Sequence, residues 1–240
     1  MAEGALIKYG NFPPDAALWR QWLQPLGMKA YLINNQTSAL MAEEIAGDNS
    51  QYEFSGYRKA CELFESDGPF LIANDTLFKT HDQKSWQALI RSFLAKMPAD
   101  ELAVWGDIRS DGNALLERPD PFLASWIFIL PNRRALELFR SCLQQLLDTE
   151  RQADSREYAE FLDAWVNQRK LFGGWHGLRN EENISRKKHC IRLEHALSRA
   201  LAANELPLRS LGAYFPVRYR LLRWRDRLRT RLSILKISKG

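Results

Sequence analysis

The sequence predicts an α/β fold: a mostly parallel sheet flanked by helices, followed by a helical C-terminal region and a basic amphipathic helix. Three observations predict it. Short apolar runs alternate with helical periodicity in the first half, helical periodicity dominates after residue 133, and arginines crowd residues 214–240. With 240 residues, the chain is long enough for one domain with a substantial core, which we place at 1–205, and a tail at 206–240.

The predicted elements follow in order from the apolar pattern. ALIKYG (5–10) is a strand, Asp15 caps an amphipathic helix, and MKAYLINN (28–35) is a second strand, which together make a βαβ unit. Further strands are predicted at 69–75, 101–108 and 124–131, and helices at 57–64, 85–97, 133–147, 158–172 and 188–202. Strands joined by helices of this length imply right-handed crossovers and a mostly parallel sheet.

Cysteine and histidine usage argues against a disulfide framework and against a zinc site. Cys61, Cys142 and Cys190 are odd in number and widely spaced within apolar helical patterns, which predicts buried thiols in a reducing compartment. No two histidines have the spacing of a zinc-binding pair. The N-terminus lacks a signal-peptide pattern and no run of about 18 apolar residues is present, so we expect a cytoplasmic protein that does not span a membrane.

Polar residues follow the first three predicted strands at the point where each strand ends. In parallel sheets, ligands bind beyond the carboxyl ends of the strands, so these residues are the first candidates for a site. They are Lys8, Tyr9 and Gly10, then Asn34 and Asn35, then Asn74 and Asp75. Turn formation explains any one of these ends equally well.

Asp75 is the most informative of these positions. A carboxylate after a fully apolar strand can hold a hard divalent cation, Mg²⁺ or Mn²⁺, while substrate phosphates complete the coordination. No glycine-rich phosphate loop is present: GYRKACE and WGDIRSDGN fit neither the Walker nor the dinucleotide-binding pattern. Their absence disfavours kinases and dehydrogenases.

Several segments in order carry a resemblance to a known family. ALIKYG, YLINNQTS, FSGYRKACELF, FLIANDTLFKTH and SWIFILPNRRALELF resemble bacterial glycosyltransferases of the GT-A fold, and more narrowly the enzymes that build lipopolysaccharide and rhamnan-type polysaccharides. The resemblance covers roughly residues 5–205. It implies a catalytic domain over 1–205, with a nucleotide-binding half at about 1–110 and an acceptor half at about 111–205.

The resemblance also implies roles for particular residues. In that family an Asp-X-Asp motif binds the metal and the diphosphate of the sugar nucleotide, whereas this chain has Ala73-Asn74-Asp75 and keeps one carboxylate. The nucleotide would be held by Lys8, Tyr9, Gly10, Asn34 and Asn35, and the donor would lie against Gly56, Tyr57 and Arg58. Arg58 could equally be a solvated helix residue.

IRLEHALSRAL (191–201) resembles the helix that supplies the general base in inverting members of the family, a role that falls here to Glu194 or His195. Glu181, Glu182 and Asp107 are rival carboxylates, and a lone helical glutamate is more often solvated or ion-paired. The implied function is inverting transfer of a sugar from a nucleotide-diphosphate donor to a lipid-linked saccharide, in the synthesis of bacterial surface polysaccharide.

The tail carries most of the positive charge. Residues 214–240 hold seven arginines, two lysines and one aspartate, a charge of +8 against +5 for the whole chain, which leaves the remainder at −3. Apolar residues recur there every three or four positions: Val217, Leu221, Trp224, Leu228, Leu232 and Leu235. This pattern predicts a helix lying on an anionic membrane surface, at the inner face of the cell membrane. The alternative is that these apolar residues pack against residues 1–205. No nucleic-acid partner is expected, because a helix that binds nucleic acid does not need a regular row of apolar side chains.

Two other functions stay open on the sequence. The chain could be a non-enzymatic, basic-tailed α/β module that binds anionic membrane or RNA. It could also be an NTP-using or methyl-transferring enzyme, which the missing glycine-rich loops disfavour.

Overall fold

One seven-stranded sheet organises the chain, with helices on both of its faces. The computed structural model describes residues 1–9, 14–36, 40–110, 112–149, 153–167 and 180–237, with side chains through Arg229 in the last helix. The strands are β1 (Ala2–Lys8), β2 (Met28–Asn34), β3 (Glu44–Ala46), β4 (Phe70–Asn74), β5 (Val104–Arg109), β6 (Phe122–Leu130) and β7 (Leu208–Ser210). The helices are α1 (Ala16–Leu23), α2 (Glu53–Leu63), α3 (Thr76–Thr80), α4 (Gln83–Leu94), α5 (Arg133–Asp148), α6 (Arg156–Asn167), α7 (Glu181–Ala203) and α8 (Pro216–Ile237).

The strand order is β3-β2-β1-β4-β6-β5-β7, and every strand but β6 runs in the same direction. The predicted βαβ unit and the mostly parallel sheet are therefore confirmed. From β1 the chain steps outward to β2 and β3, then crosses back through α2 to β4 on the other side of β1. In α/β sheets, the carboxyl ends of the strands at such a reversal are the usual ligand position.

Two apolar layers sandwich the sheet because strand side chains alternate between its faces. Helices α2, α5 and α7 cover one face, where Phe54, Phe128 and Phe139 are fully buried. Helices α1, α3, α4 and α8 cover the other, around Trp19 and Trp86. The three cysteines are buried and free, as predicted.

Side-chain caps fix where several helices begin. Asp15, Asp82, Asn132 and Asn180 each accept a hydrogen bond from the backbone N–H three residues later, which satisfies a donor that the first helical turn leaves unpaired. The predicted cap at Asp15 is confirmed by a 2.8 Å bond from Leu18 N.

Four short elements were not predicted from the sequence: β3, β7, α3 and a 3₁₀ helix at Gln24–Leu26. Because β7 pairs with β5, the prediction of helices alone after residue 133 is wrong. The predicted boundary at 205/206 is also corrected, since β7 belongs to the sheet and Leu222 of α8 joins the core. A three-residue edge strand is held by its neighbour's backbone, and its own residues need show no periodicity.

No helix in the described part of the chain has both the length and the apolar character needed to cross a bilayer.

Candidate functional site

The structure brings the three polar strand ends to one edge of the sheet, here called the carboxyl rim. Lys8 is paired with Asn34 at the ends of β1 and β2. Beyond them, Asn35 N donates to Lys8 O at 3.0 Å, and Asp75 N donates to Ile7 O at 2.9 Å. The predicted clustering of these ends is thus observed, while Gly10 lies outside the described residues.

Lys8 and Asn34 are tied together beneath the rim by Glu44 of β3. Lys8 Nζ lies 2.6 Å from Glu44 Oε1, and Asn34 Nδ2 donates to Oε2 at 2.8 Å. Burial raises the pKa of Glu44, but these hydrogen bonds outweigh it and hold the pKa below its usual range. Lys8 and Asn34 therefore stabilise the carboxyl rim from its buried side. To reach a nucleotide, Lys8 would have to break its ion pair with Glu44.

Asn35 is also enclosed, one residue beyond the end of β2. It is 1% exposed, and its Nδ2 donates to Tyr52 O at 2.6 Å, while Oδ1 has no hydrogen-bond partner among the described residues. A Cβ at Gly47 would lie 1.9 Å from Oδ1, and one at Gly56 would lie 2.6 Å from an Ile7 methyl carbon. The absence of a side chain at Gly47 and Gly56 therefore allows the backbone to pack closely against the Asn35 amide and Ile7.

Arg186 of α7 is stacked between two tyrosines at the same rim. Its guanidinium carbon lies 4.6 Å from the ring centre of Tyr9 and 4.7 Å from that of Tyr52, within cation–π range. Tyr52 has a φ of 52°, which places a bulky residue in the left-handed region at a cost of order 1–3 kcal/mol. Backbone strain of this kind concentrates at functional sites.

A hydrogen-bonded chain, here called the rim cluster, links β4, α2, β6 and α7. Asn74 Nδ2 donates to the Tyr57 hydroxyl at 2.8 Å, and that hydroxyl donates to Ser125 O at 2.7 Å. Ser125 N donates to Glu194 Oε2 at 2.9 Å. The β5/β6 register shifts at this point, which frees the Ser125 backbone from the ladder so that side chains satisfy it. The half-buried Glu194 is thus held at the rim.

Asp75 turns to the opposite side from Asn74 and begins α3. The residue is 8% exposed, and its Oδ2 accepts from Lys79 Nζ at 2.7 Å. Among the described residues, no group of three or more His, Cys, Asp and Glu side chains is arranged to hold a metal ion. A single carboxylate fits Mg²⁺ or Mn²⁺ where substrate phosphates supply further oxygen ligands.

Asp107, a rival base, is enclosed near the end of β5. It is fully buried and accepts from Trp126 Nε1 at 2.9 Å, from Arg109 at 3.4 Å, and from Tyr219 and Arg223 of α8. Burial raises its pKa, yet the two guanidinium groups hold the pKa below its usual range. Asp107 is therefore a buried structural carboxylate. Both of its oxygens already accept hydrogen bonds within the protein, and neither is exposed to an acceptor hydroxyl.

Arg109 lies in the electrostatic field of both Asp107 and Glu194. Its side chain is 39% exposed, so it offers a cation at the rim beside the candidate base. Arg109 was not predicted from the sequence: its partner Asp107 is only two residues away, and its position relative to Glu194 depends on the packing of α7 against the sheet.

The remaining candidates are placed away from the rim cluster or on the surface. His195 is 2% exposed and hydrogen-bonds through Nδ1 to the Tyr158 hydroxyl at 2.8 Å, against α6. Arg58 pairs with Asp48 at 2.9 Å in a partly exposed ion pair. Glu181 and Glu182 are exposed in the first turn of α7. Of the residues suggested as base, Glu194 alone joins the rim cluster.

Six residues of this site were missed: Glu44, Tyr52, Lys79, Arg109, Ser125 and Arg186. Most of their contacts join positions far apart in sequence, and no motif marks them. The positive φ of Tyr52 and the bulge at Ser125 also produce no recognisable spacing of apolar residues in the sequence.

Comparison with protein-family models, with curated proteins and with solved structures gives no match.

Proposed function

We propose that the chain is a glycosyltransferase of the GT-A type that moves a sugar from a nucleotide-diphosphate donor to a lipid-linked saccharide at the inner face of the bacterial cell membrane. The observation that supports the proposal is the set of polar side chains at the carboxyl rim. Asn35, Asn74 and Asp75 follow or end their strands at this edge, beside the strand-order reversal where α/β sheets bind ligands. Glu194 is joined to Asn74 through Ser125 and Tyr57. Bacterial surface-polysaccharide synthesis is the setting that the family resemblance implies.

The cations at the rim suit a diphosphate leaving group. Lys79 and Arg186 come from α3 and α7, and the partly exposed Arg109 from β5. Positive charge held in place where negative charge develops lowers the barrier, because it need not reorganise during the reaction. A Mg²⁺ or Mn²⁺ ion on Asp75, when bound, would add charge neutralisation at the same diphosphate.

Glu194 is our choice for the general base. Its bond to Ser125 N engages one carboxylate oxygen and orients the group. The carboxylate takes the proton of the acceptor hydroxyl as that oxygen bonds to the anomeric carbon, and the bond from this carbon to the diphosphate breaks with its electron pair on phosphate oxygen. One displacement from the opposite side inverts the anomeric carbon.

The test uses Glu194→Gln and Asp75→Asn, with Glu181→Gln as the matched control on the same helix. Transfer would be followed as nucleotide release from UDP-, GDP- and dTDP-linked sugars, with and without Mn²⁺. We expect Glu194→Gln to lose about 10²-fold or more in kcat, the usual contribution of a general base, with donor binding retained. Asp75→Asn should weaken donor binding and remove its dependence on Mn²⁺, measured as the ligand-induced rise in thermal midpoint.

Two outcomes would contradict the proposal. One is a Glu194→Gln enzyme within a few-fold of the parent. The other is the absence of stabilisation by any nucleotide sugar, which would favour the second candidate, a non-enzymatic α/β module binding anionic membrane or RNA through its basic helix. That candidate is supported by the charge of +8 over residues 214–240.

A further inference from the structure

Helix α8 has two opposite faces, and the body of the protein covers one of them. Towards the sheet it places Leu222 and Asp226, each 6% exposed. At 3.6 residues per turn, steps of three and four residues bring a second set of side chains into one stripe on the other side. This outer stripe comprises Val217, Leu221 and Trp224, which are 69%, 60% and 61% exposed.

The inner face of α8 is fixed by a buried carboxylate. Asp226 lies 2.7 Å from His81 Nδ1, and it accepts from Trp86 Nε1 at 2.7 Å and from Asp82 N at 3.1 Å. Burial raises the pKa of Asp226, but these bonds hold it below its usual range. Asp226 is the only acidic residue among 214–240, and it docks the helix. Because the inner face is held in this way, the outer stripe faces away from the sheet.

Exposed arginines flank the outer stripe. Arg218, Arg220 and Arg227 are exposed, and no carboxylate in the described part of the chain forms an ion pair with them. By contrast, Arg223 and Arg225 pair with Asp107 and Asp82 of the body. An apolar stripe flanked by exposed arginines that form no ion pair among the described residues matches a bilayer surface, where apolar groups enter the headgroup boundary and guanidinium groups meet anionic headgroups.

The helix also lies beside the carboxyl rim. Its contacts run from Asp107, near the end of β5, to Asp82, which follows α3, the helix whose N-cap is Asp75. We propose that the outer stripe of α8 binds the surface of an anionic bilayer and holds the carboxyl rim next to it. A lipid-linked substrate in that bilayer would then reach the rim without leaving the membrane. The lipid contact itself does not depend on the proposed sugar transfer.

The experiment is co-sedimentation of the full chain with vesicles of phosphatidylcholine, with or without about one third phosphatidylglycerol. The double variant Leu221→Ser/Trp224→Ser should lower the affinity for anionic vesicles at least tenfold. Arg220→Gln/Arg227→Gln should lower it by about fivefold per arginine, since each cation near the surface contributes about that factor. Neither change should alter the thermal midpoint, because all four side chains are exposed.

The controls are matched in chemistry and exposure. Leu116→Ser removes another apolar side chain, 79% exposed, and Arg134→Gln/Arg140→Gln removes two exposed arginines of α5. Both should bind vesicles as the parent does. Asp75→Asn should also bind normally, so that loss of transfer and loss of membrane binding are scored separately.

Three results would overturn the inference. The first is equal vesicle binding by the stripe variant and the parent. The second is an affinity for single-stranded RNA that exceeds that for vesicles and survives the stripe substitution. The third is a dimer in light scattering that the stripe variant dissociates, which would assign the stripe to a second copy of the chain.

Discussion

Tyr57 holds the carboxyl rim together through one hydroxyl group. That hydroxyl accepts from Asn74 and donates to Ser125 O, so it joins β4 to the bulged part of β6. The side chain is fully buried, and burial is the main cause that raises the pKa of Tyr57 well above its usual value. The hydroxyl therefore stays protonated and acts as a fixed donor.

Replacing Tyr57 by Phe should lower the free energy of unfolding by about 2 kcal/mol, because a buried carbonyl and a buried amide each lose a partner. Urea denaturation followed by circular dichroism measures this. Tyr214→Phe is the control, since that tyrosine is 36% exposed. Equal stability of the two variants would mean that the Tyr57 hydroxyl bonds contribute nothing net.

The ion pairs of Asp107 lead to a prediction about acid stability. Its folded-state pKa lies below the unfolded value, so the stabilisation is present above about pH 4 and is lost as the pH falls through the folded pKa. Arg223→Met removes one of the two guanidinium groups that lower this pKa. Acid unfolding should then begin at a higher pH than in the parent, as measured by circular dichroism between about pH 7 and 2.

The matched control for that experiment is Arg220→Met, which removes an exposed arginine from the same helix. If both variants shifted the acid transition equally, the cause would be net charge, and the Asp107 pair would have no specific role.

At the scale of elements, α8 is the helix whose role changes most between sequence and structure. Its apolar periodicity and charge predicted a surface tail, and its exposed stripe agrees with that pattern. Docking was kept as an alternative for the stripe residues, but the face that docks is another one, formed by Tyr219, Leu222 and Asp226. The partners of Tyr219 and Asp226 lie more than 100 residues away, so this face could not be predicted.

Asp226→Asn should undock α8 in part. The amide cannot accept from His81, Trp86 and Asp82 N as the carboxylate does, and we expect a loss of about 2–3 kcal/mol in the free energy of unfolding. Hydrogen exchange should show faster exchange of α8 amides than in the parent. Asp163→Asn, which breaks an exposed pair with Lys188, is the control and should leave both measurements nearly unchanged.

At the scale of the whole molecule, the sheet and α8 form one unit. The edge strand β7 pairs with β5, and Leu211 and Leu222 pack into the core around α4. The domain predicted at 1–205 therefore lacks an edge strand of the sheet and part of the core without the residues that follow it.

A chain ending at residue 205 should fail to fold cooperatively, because it exposes the apolar face that β7 and α8 cover. A chain ending at residue 229 keeps β7, Leu222 and Asp226, which dock α8, and should therefore unfold cooperatively. Thermal and urea unfolding of the two truncations compare them directly. Cooperative unfolding of the shorter chain would show that 1–205 folds without the last strand and helix.

Apolar periodicity by itself determined the α/β class, the parallel βαβ start and most strands and long helices, because these depend on which face of each element must leave water. It also placed Asp75 and Asn35 at one edge of the sheet, since parallel strands end together. Tertiary structure alone decided that Glu194 meets Ser125, that Asp107 is enclosed, and that α8 docks through Asp226. Those contacts join residues distant in the chain, and only the packed backbone sets the distances between them.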